Sequence, residues 1–250
     1  PKKNRPAYQL ISSSQELAIK SQGSRPTCAS FAAIRSLEIL SSQEGSHLTL
    51  SEQYFYWASK PKCQKNPCKE KGSWIVHGLN LSKESPDYTI PLEKDCPYNS
   101  KAKKDNETQT PLAQSCNKGV LKILGYESYE DLESVIVALD KNYPIIFGVK
   151  LSPNFYGQNG FISLKDKNKK GDKEDAHAAG HALTMLGYMT LPKSLHQSEG
   201  KNCFFIANSW GEGWGKGGHA CLSENWLKEH KVPLPYIAIT KIKIKKEESS

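Results

Sequence analysis

Three side chains in the sequence have the types and surroundings that covalent acyl transfer requires. Cys28 follows a turn rich in Gly, Ser and Pro and precedes a strongly apolar run, residues 29–40. This predicts a thiol at the start of a helix, where the macrodipole and unpaired backbone N–H groups favour the thiolate. His181 begins an apolar run, and Asn208 precedes a Gly-rich turn. A thiol, a base that takes its proton and an amide that orients the base are the parts of this chemistry.

Each group has a role that follows from its chemistry. A thiol with a pKa of about 8.5 is mostly protonated at neutral pH, but a neighbouring imidazole and a helix N-terminus lower that pKa. We expect Cys28 to attack a carbonyl carbon and form a thioester acyl-enzyme, His181 to act as acid and base, and Asn208 to orient the imidazole. Gln22, six residues before the thiol, is expected to bind the oxyanion with the N–H of Cys28. Trp210 is expected to cover the His181–Asn208 hydrogen bond from water.

A structural interpretation of each residue stays open at this point. Cys28 could be an ordinary buried cysteine of a helix, and Gln22 could be a solvated turn residue. Asn208 could simply end a strand. His181 competes with six other histidines, of which His177 is the nearest. We favour His181 because it alone begins an apolar strand with small neighbours.

The elements that must position these residues differ between the two halves of the chain. Apolar residues recur at helical spacing from Phe31 to Leu40, which predicts a helix with at least one buried face. Ser51 is placed to cap a second helix over residues 52–59. Further helices are predicted over residues 74–82 and 129–141, and strands over residues 144–151, 182–188, 202–208, 218–223 and 236–245. This distribution indicates an α+β protein with two lobes and a cleft between them.

Two polar stretches are predicted to lie on the surface. Residues 84–114 contain four prolines and many turn-forming residues. The segment Leu164–Ala178 is nearly all Lys, Asp, Glu and Gly, and it lies just ahead of His181. We expect this segment to be a solvated loop, with an insert that overhangs the cleft as the alternative.

The net charge of +8 raises the question of a nucleic-acid partner. The lysines are scattered through polar loops with acids nearby, and no basic run is interleaved with exposed aromatic residues. We therefore expect a solvated basic surface and no nucleic acid, with attraction to an acidic wall, membrane or substrate as the alternative. No run approaches the ~20 apolar residues of a membrane span, so none is expected.

The segments around the three reactive side chains resemble those of papain-like cysteine peptidases. Residues 22–33, in which a Gln-Gly-Ser turn precedes the cysteine, are similar to the nucleophile segment of that family. Residues 180–188 resemble its histidine strand, in the cathepsin B-like form with glycine before the histidine. Residues 208–218 are similar to its asparagine motif, and Leu50-Ser51-Glu52-Gln53 matches a helix start common in the family. The segments occur in the family's order over nearly the whole chain.

The resemblance implies a papain-like two-lobe α+β fold with the active site in the cleft. A helical N-terminal lobe is expected over approximately residues 12–118 and an antiparallel β-rich lobe over 119–250, with termini crossing between the lobes. The resemblance implies a thiol protease that acts on protein or peptide substrates as a monomer, with no cofactor and no metal. An inhibitory propeptide is a further expected partner. The alternatives are a related acyl transferase or amidase, and a catalytically weak relative that binds peptides or a partner protein.

Substrate contacts are expected only by resemblance. Gly72 matches the backbone position that binds an extended peptide as an added strand would. Gly148, Gly180 and Ala182 match the lining of the pocket for the side chain two residues before the scissile bond. These small residues predict a roomy, apolar pocket that tolerates Leu, Val or aromatic side chains. Ala29 replaces the usual tryptophan after the nucleophile, which leaves the level of activity and the specificity open.

The chain has seven cysteines, an odd number. With Cys28 set aside, the other six suffice for three disulfides, which favours an extracellular, periplasmic or lysosome-like compartment. The pairs expected are Cys63–Cys68, Cys96–Cys116 and Cys203–Cys221. Free or metal-binding thiols are the alternative, although no pair has C-x₂-C spacing. By resemblance, a cystine often ties the turn before the nucleophile; Arg25 stands in its place here, so this turn must be held in another way.

Overall fold

The structure is a computed structural model that describes residues 5–65, 72–101, 112–157, 160–164 and 180–246. Its contacts divide the chain into two compact units. The β unit combines Pro1–Ser21 with Ser128–Ala238, and the helical unit combines Gln22–Glu127 with Ile239–Ser250. Each unit is therefore built from segments that are distant in sequence.

The helices and strands are numbered in chain order. The α-helices are α1 (Cys28–Gln43), α2 (Glu52–Ala58), α3 (Ile75–Glu84), α4 (Leu132–Asp140), α5 (Pro153–Tyr156), α6 (His196–Glu199) and α7 (Glu224–His230). The strands are β1 (Tyr8–Leu10), β2 (Ile90–Pro91), β3 (Gly119–Tyr129), β4 (Ile145–Val149), β5 (Phe161–Ile162), β6 (His181–Thr190), β7 (Asn202–Ala207), β8 (His219–Ser223) and β9 (Tyr236–Ile244). Among the described residues, no helix is both long and apolar enough to span a membrane.

The helical unit is organised around α1. Residues 30–41 of this helix are all buried, on every face, which is more than the one apolar face that its sequence predicts. Among the polar side chains buried with it, Glu38 accepts a hydrogen bond from the backbone N–H of Leu50 at 2.9 Å. The cap predicted at Ser51 is confirmed, because its hydroxyl accepts from the N–H of Tyr54 at 3.0 Å. The core of this unit thus fixes the helix that begins at Cys28.

The β unit is organised around β6. This strand pairs antiparallel with β1, β4 and β7, and β7 pairs antiparallel with β8. The register places His181 opposite Val149, and Gly148 opposite Ala182. The first residues of β9 pair with β4 in this unit. The predicted strands in this half of the chain are confirmed, with ends that differ by a few residues.

One helix boundary predicted from the sequence is wrong. The helix expected from residue 129 begins only at Leu132, because β3 extends through Tyr129. Asp131 ends this extended segment and caps α4, since its carboxylate accepts from the N–H of Ser134 at 2.8 Å. Strand β3 itself was not predicted from the sequence, and neither were the short strands β1, β2 and β5.

Two of the predicted disulfides are confirmed. Cys96 is bonded to Cys116 in the helical unit, and their Cα atoms are 4.6 Å apart. In the β unit, pairing of β7 with β8 brings together Cys203 and Cys221, whose Cα atoms are 5.6 Å apart. Cys63 also belongs to a disulfide, but its expected partner Cys68 lies outside the described residues, as does the charged segment after Leu164 up to Ala178.

Candidate active site

The predicted helix begins at Cys28 itself. Cys28 is half-buried and belongs to no disulfide. Before it, Thr27 occupies the cap position, and its carbonyl accepts from the N–H groups of Ser30 and Phe31 at 2.9 and 3.2 Å. The first turn contains no acidic side chain, so no local carboxylate offsets the positive end of the helix dipole near the sulfur. This setting favours the thiolate form of Cys28.

The turn before the thiol is tightly folded and buried. Gln22 is buried, and its side-chain Nε2 donates to the carbonyl of Arg25 at 2.8 Å. The same carbonyl accepts from the N–H of Thr27 at 2.9 Å. The hydroxyl of Tyr98 donates to the carbonyl of Gln22 at 2.8 Å. These contacts exclude the interpretation of Gln22 as a solvated turn residue, and they keep its amide on the turn that leads to Cys28.

His181 and Asn208 are joined by a short hydrogen bond. The imidazole Nε2 of His181 lies 2.7 Å from the side-chain Oδ1 of Asn208. This oxygen also accepts from the N–H of Ser209 at 2.8 Å, which fixes its orientation. An amide oxygen only accepts, so Nε2 carries the proton. In the neutral ring, Nδ1 is therefore the nitrogen that can take up a proton.

Aromatic side chains surround the imidazole of His181. The ring of Trp210 lies 4.7 Å from it between centroids, and that of Phe155 lies 5.9 Å from it. The ring of Tyr156 stacks on that of Trp210 at 5.6 Å between centroids, and Tyr156 is exposed. Burial lowers the pKa of His181 from its ordinary value of 6.5 to about 4, and the hydrogen bond with Asn208 acts in the opposite direction. The imidazole is therefore neutral near neutral pH unless a negative charge accompanies its protonation.

Asn208 is held at the end of β7 by its backbone. Its N–H donates to the carbonyl of Gly218 at 3.0 Å, across the Gly-rich turn. The side-chain nitrogen Nδ2 is buried and has no hydrogen-bond partner among the described residues. The orientation of the carboxamide therefore depends on its oxygen. Trp214, in the same turn, donates from Nε1 to the carbonyl of Phe155 at 2.9 Å and so joins this turn to α5.

The three small residues expected to line a substrate pocket lie together in the β unit. Gly148 pairs with Ala182 across β4 and β6, and Gly180 immediately precedes β6 with a φ of +92° that favours glycine. The space beside both glycines is occupied by Val232. A Cβ atom on Gly148 would lie 2.7 Å from Cγ2 of Val232, and one on Gly180 would lie 3.5 Å from Cγ1. The small residues thus accommodate an apolar side chain of the chain itself.

The remaining expected substrate residue, Gly72, lies in the helical unit. It has a φ of +74°, and apart from its chain neighbours no described residue has a heavy atom within 4 Å of the position that a Cβ would take. Its backbone is thus in a conformation that favours glycine. Within the described residues, no cluster of His, Cys, Asp or Glu side chains has an arrangement that could hold a metal ion.

The structure brings the predicted residues together in two groups. Gln22 and Cys28 lie on one folded turn of the helical unit, and His181, Asn208 and Trp210 lie in contact in the β unit. Sequence reasoning missed the side chains that support these groups: Arg25, Tyr98, Phe155, Tyr156 and Val232. The sequence gives only a weak indication that the aromatic residues are structural, because they are large side chains beside predicted turns. It does not indicate which residues they contact.

Comparison with known proteins adds an independent observation. A family model described as papain family cysteine protease matches residues 12–233. Fruit bromelain from Ananas comosus is 27% identical over 203 residues, which cover 80% of this chain and 50% of that protein. The chain spans about half the length of the curated relatives it matches.

Solved structures resemble this fold at lower identity. Xylellain, a cysteine protease from Xylella fastidiosa, has a TM-score of 0.74 at 18% identity, over 95% of this chain and 87% of that chain. The digestive procathepsin L 3 of Tenebrio molitor larval midgut has a TM-score of 0.68 at 20% identity, over 96% of this chain and 71% of that chain.

Proposed function

Because this chain belongs to the papain family of cysteine proteases and has the papain-like α+β fold predicted from its sequence, we propose that it hydrolyses peptide bonds. Cys28 is the proposed nucleophile, His181 the acid and base, and Asn208 the residue that orients the imidazole. The observation that carries this proposal is the 2.7 Å contact between Nε2 of His181 and Oδ1 of Asn208. This contact keeps the proton on Nε2 and leaves Nδ1 free to accept one. That tautomer of the imidazole is the one this chemistry requires.

The first step is transfer of the thiol proton of Cys28 to Nδ1 of His181. A buried imidazole resists becoming cationic by itself, since its pKa is lowered to about 4. A thiolate formed in the same step compensates that cost, and the N-terminus of α1 favours the negative charge on sulfur. The two charges therefore form together, as a thiolate–imidazolium pair.

The thiolate then attacks the carbonyl carbon of the peptide bond. A C–S bond forms as the carbonyl π electrons move to oxygen, and the side-chain amide of Gln22 with the N–H of Cys28 is proposed to bind the oxyanion. One such donor is worth about 10²- to 10³-fold in rate. When the tetrahedral intermediate collapses, the C–N bond breaks and the amine leaves with the proton from His181. Water then attacks the thioester with His181 as base, which releases the acid and restores the thiol.

The proposed substrate is an extended peptide that the backbone of Gly72 binds as an added strand. Val232 is proposed to limit the depth of the pocket, since one of its methyl groups overlaps the position of a side chain on Gly148 and the other is in contact distance of one on Gly180. We therefore propose a preference for Val or Leu over aromatic side chains two residues before the scissile bond. This narrows the broader tolerance expected from the sequence.

Three finer properties also belong to this proposal. A cathepsin B-like histidine strand is supported by Gly180, whose positive φ favours glycine just before the histidine. An oxidising compartment, secreted or lysosome-like, is supported by the disulfides Cys96–Cys116 and Cys203–Cys221. An inhibitory propeptide is supported by the likeness to a solved procathepsin.

The test combines labelling with turnover. An epoxide that alkylates activated thiols should modify Cys28 near neutral pH, and a dipeptidyl fluorogenic amide should be cleaved. Cys28→Ala should abolish both, because it removes the attacking sulfur. Ser30→Ala is the matched control: it lies in the same helical turn, is buried, and its hydroxyl has no hydrogen-bond partner among the described residues, so activity should persist. Amidase activity that survives in Cys28→Ala would contradict the proposal, whereas labelling without cleavage would favour acyl transfer to another substrate.

A further inference from the structure

We propose that Arg25 is a positioning residue for the reaction: its buried side chain holds the turn 22–27 that presents Gln22 and Cys28. This inference rests on the proposed function, because a positioning residue needs a reaction to serve. The contacts from which it is argued all lie within the helical unit. Arg25 also stands where the family resemblance leads one to expect a half-cystine. A network of hydrogen bonds and aromatic contacts therefore does here what a covalent link would do.

The guanidinium of Arg25 is almost completely enclosed. The residue is 3% exposed. Its Nη1 donates to Oε1 of Gln53 at 2.8 Å and to the carbonyl of Asn99. The guanidinium carbon lies 5.3 Å from the ring centroid of Tyr56 and 5.1 Å from that of Tyr98. The side chain thus joins its own turn to α2 and to the segment around residue 98.

The backbone of Arg25 transmits this anchoring to the residues that act. Its carbonyl accepts from Nε2 of Gln22 at 2.8 Å and from the N–H of Thr27 at 2.9 Å. One atom therefore orients both the proposed oxyanion amide and the residue that precedes the nucleophile. A displacement of Arg25 would displace both, in the same direction.

Tyr98 links the same parts a second time. Its ring contacts the guanidinium, and its hydroxyl donates to the carbonyl of Gln22 at 2.8 Å and lies 2.7 Å from Oγ1 of Thr27. The ring also packs edge-to-face on Phe31, in the first turn of α1, at 4.9 Å. Arg25 and Tyr98 together are called the arginine brace below.

A purely structural role would not require a cation at this position. Burying a charge carries a large desolvation cost, which fixed hydrogen bonds and aromatic faces must offset. The planar guanidinium can satisfy directed acceptors and stack at the same time, which a lysine ammonium cannot do. The brace therefore fixes direction as well as distance. Because a misplacement of about 1 Å can cost about 100-fold in rate, this precision matters for the oxyanion amide and the thiol.

The experiment compares Arg25→Met with Arg35→Met. Arg35 is also a buried arginine of the helical unit, and it lies on α1, outside the turn 22–27. We measure kcat and KM for the fluorogenic amide, with active sites titrated by the epoxide, and unfolding midpoints for both variants. Arg25→Met should lower kcat about 100-fold with little change in KM, and Arg25→Lys should restore only part of it. Arg35→Met should lose stability but keep kcat per titrated site.

Tyr98→Phe tests the brace even if Arg25→Met does not fold. The change removes one hydroxyl and its contacts with Gln22 and Thr27, and it keeps the ring. We expect kcat to fall about five- to tenfold, as for the loss of a hydrogen bond, and the rate of Cys28 alkylation by iodoacetamide to fall across the pH profile. An unchanged kcat and an unchanged alkylation profile in folded Tyr98→Phe would overturn the brace.

The two proposals fail in different ways. If the wild-type protein cleaves no amide, the proposed function is wrong, and the alkylation profiles of wild type, Arg25→Met and Tyr98→Phe still decide whether the brace positions the thiol. If the wild type is active and folded Arg25→Met matches it in kcat and alkylation rate, the proposed function stands and the brace is refuted.

Discussion

Removal of the sulfur of Cys28 should turn His181 into a neutral side chain at mildly acidic pH. Burial lowers the pKa of this imidazole from 6.5 to about 4. At about 1.4 kcal/mol for each pH unit, the difference is about 3 kcal/mol against the imidazolium. In the proposed thiolate–imidazolium pair, charges about 4 Å apart in a medium of effective dielectric constant about 20 would contribute about 4 kcal/mol in its favour. The two energies are of similar size, so the charge of the ring should depend on the thiolate.

The assay is an NMR titration of the imidazole protons in wild type and in Cys28→Ala, from about pH 3 to about pH 8. The signal of His181 is assigned by its absence in His181→Gln. In Cys28→Ala we expect a pKa of about 4, whereas the thiolate in the wild type should raise the pKa of the ring by about three units, to about 7. Ser30→Ala should titrate as the wild type does. A ring that titrates near 6.5 in Cys28→Ala, or identically in both proteins, would refute the reasoning.

The same change has a consequence for stability, with a definite sign. In Cys28→Ala the folded ring has the lower pKa, so between about pH 6.5 and about pH 4 the unfolded chain binds the extra proton. The contribution of His181 to the free energy of unfolding is therefore fully present above that window and is lost as the pH falls through it. Chemical denaturation at several pH values should show this loss, up to about 3 kcal/mol, and His181→Gln combined with Cys28→Ala should remove it.

Three further predictions concern the β unit. In Asn208→Asp, a charged oxygen takes the place of Nδ2, which has no hydrogen-bond partner among the described residues. The negative charge should raise the pKa of His181 and move the basic limb of the kcat/KM profile to higher pH; a limb at the same pH would contradict this. Trp210→Ala opens the imidazole to water and should raise the pKa of His181 in the Cys28→Ala background toward 6.5, as the NMR titration would show. Val232→Ala should deepen the space beside Gly148 and raise the kcat/KM ratio of Phe to Val substrates about tenfold or more; an unchanged ratio would place the pocket elsewhere.

Much of the candidate site could be predicted because its signals are local. The start of α1 at Cys28 follows from a turn beside an apolar run, and the strand that begins at His181 follows from its own composition. The His181–Asn208 contact was expected from the chemistry of the two side chains and from the family motifs, whereas the pairing of β6 with β7 that produces it was not predicted. For this contact between residues distant in sequence, the prediction relied on the resemblance to the family's histidine and asparagine motifs.

The supporting contacts escaped prediction because they join residues that are distant in sequence. Tyr98 lies in the polar stretch 84–114, which was expected to run over the surface, yet its hydroxyl reaches Gln22 and Thr27. Nothing near Arg25 indicates that its charge would be buried between aromatic rings. At Tyr129 the error was of another kind: the extended β3 and the cap at Asp131 overrode the helical pattern that the sequence shows.

The arginine brace has a consequence for how this protein tolerates redox conditions. A thiol enzyme needs reductant to keep its sulfur unoxidised, and the same reductant attacks cystines. Where a cystine secures the loop before the nucleophile, the reductant that keeps the nucleophile active can therefore also cleave the bond that holds its loop. Here Arg25 secures that loop with nitrogen and π contacts, so a reductant that maintains Cys28 breaks no bond of Arg25 itself. The nearby cystine that such a reductant can open is Cys96–Cys116, which holds the segment that carries Tyr98.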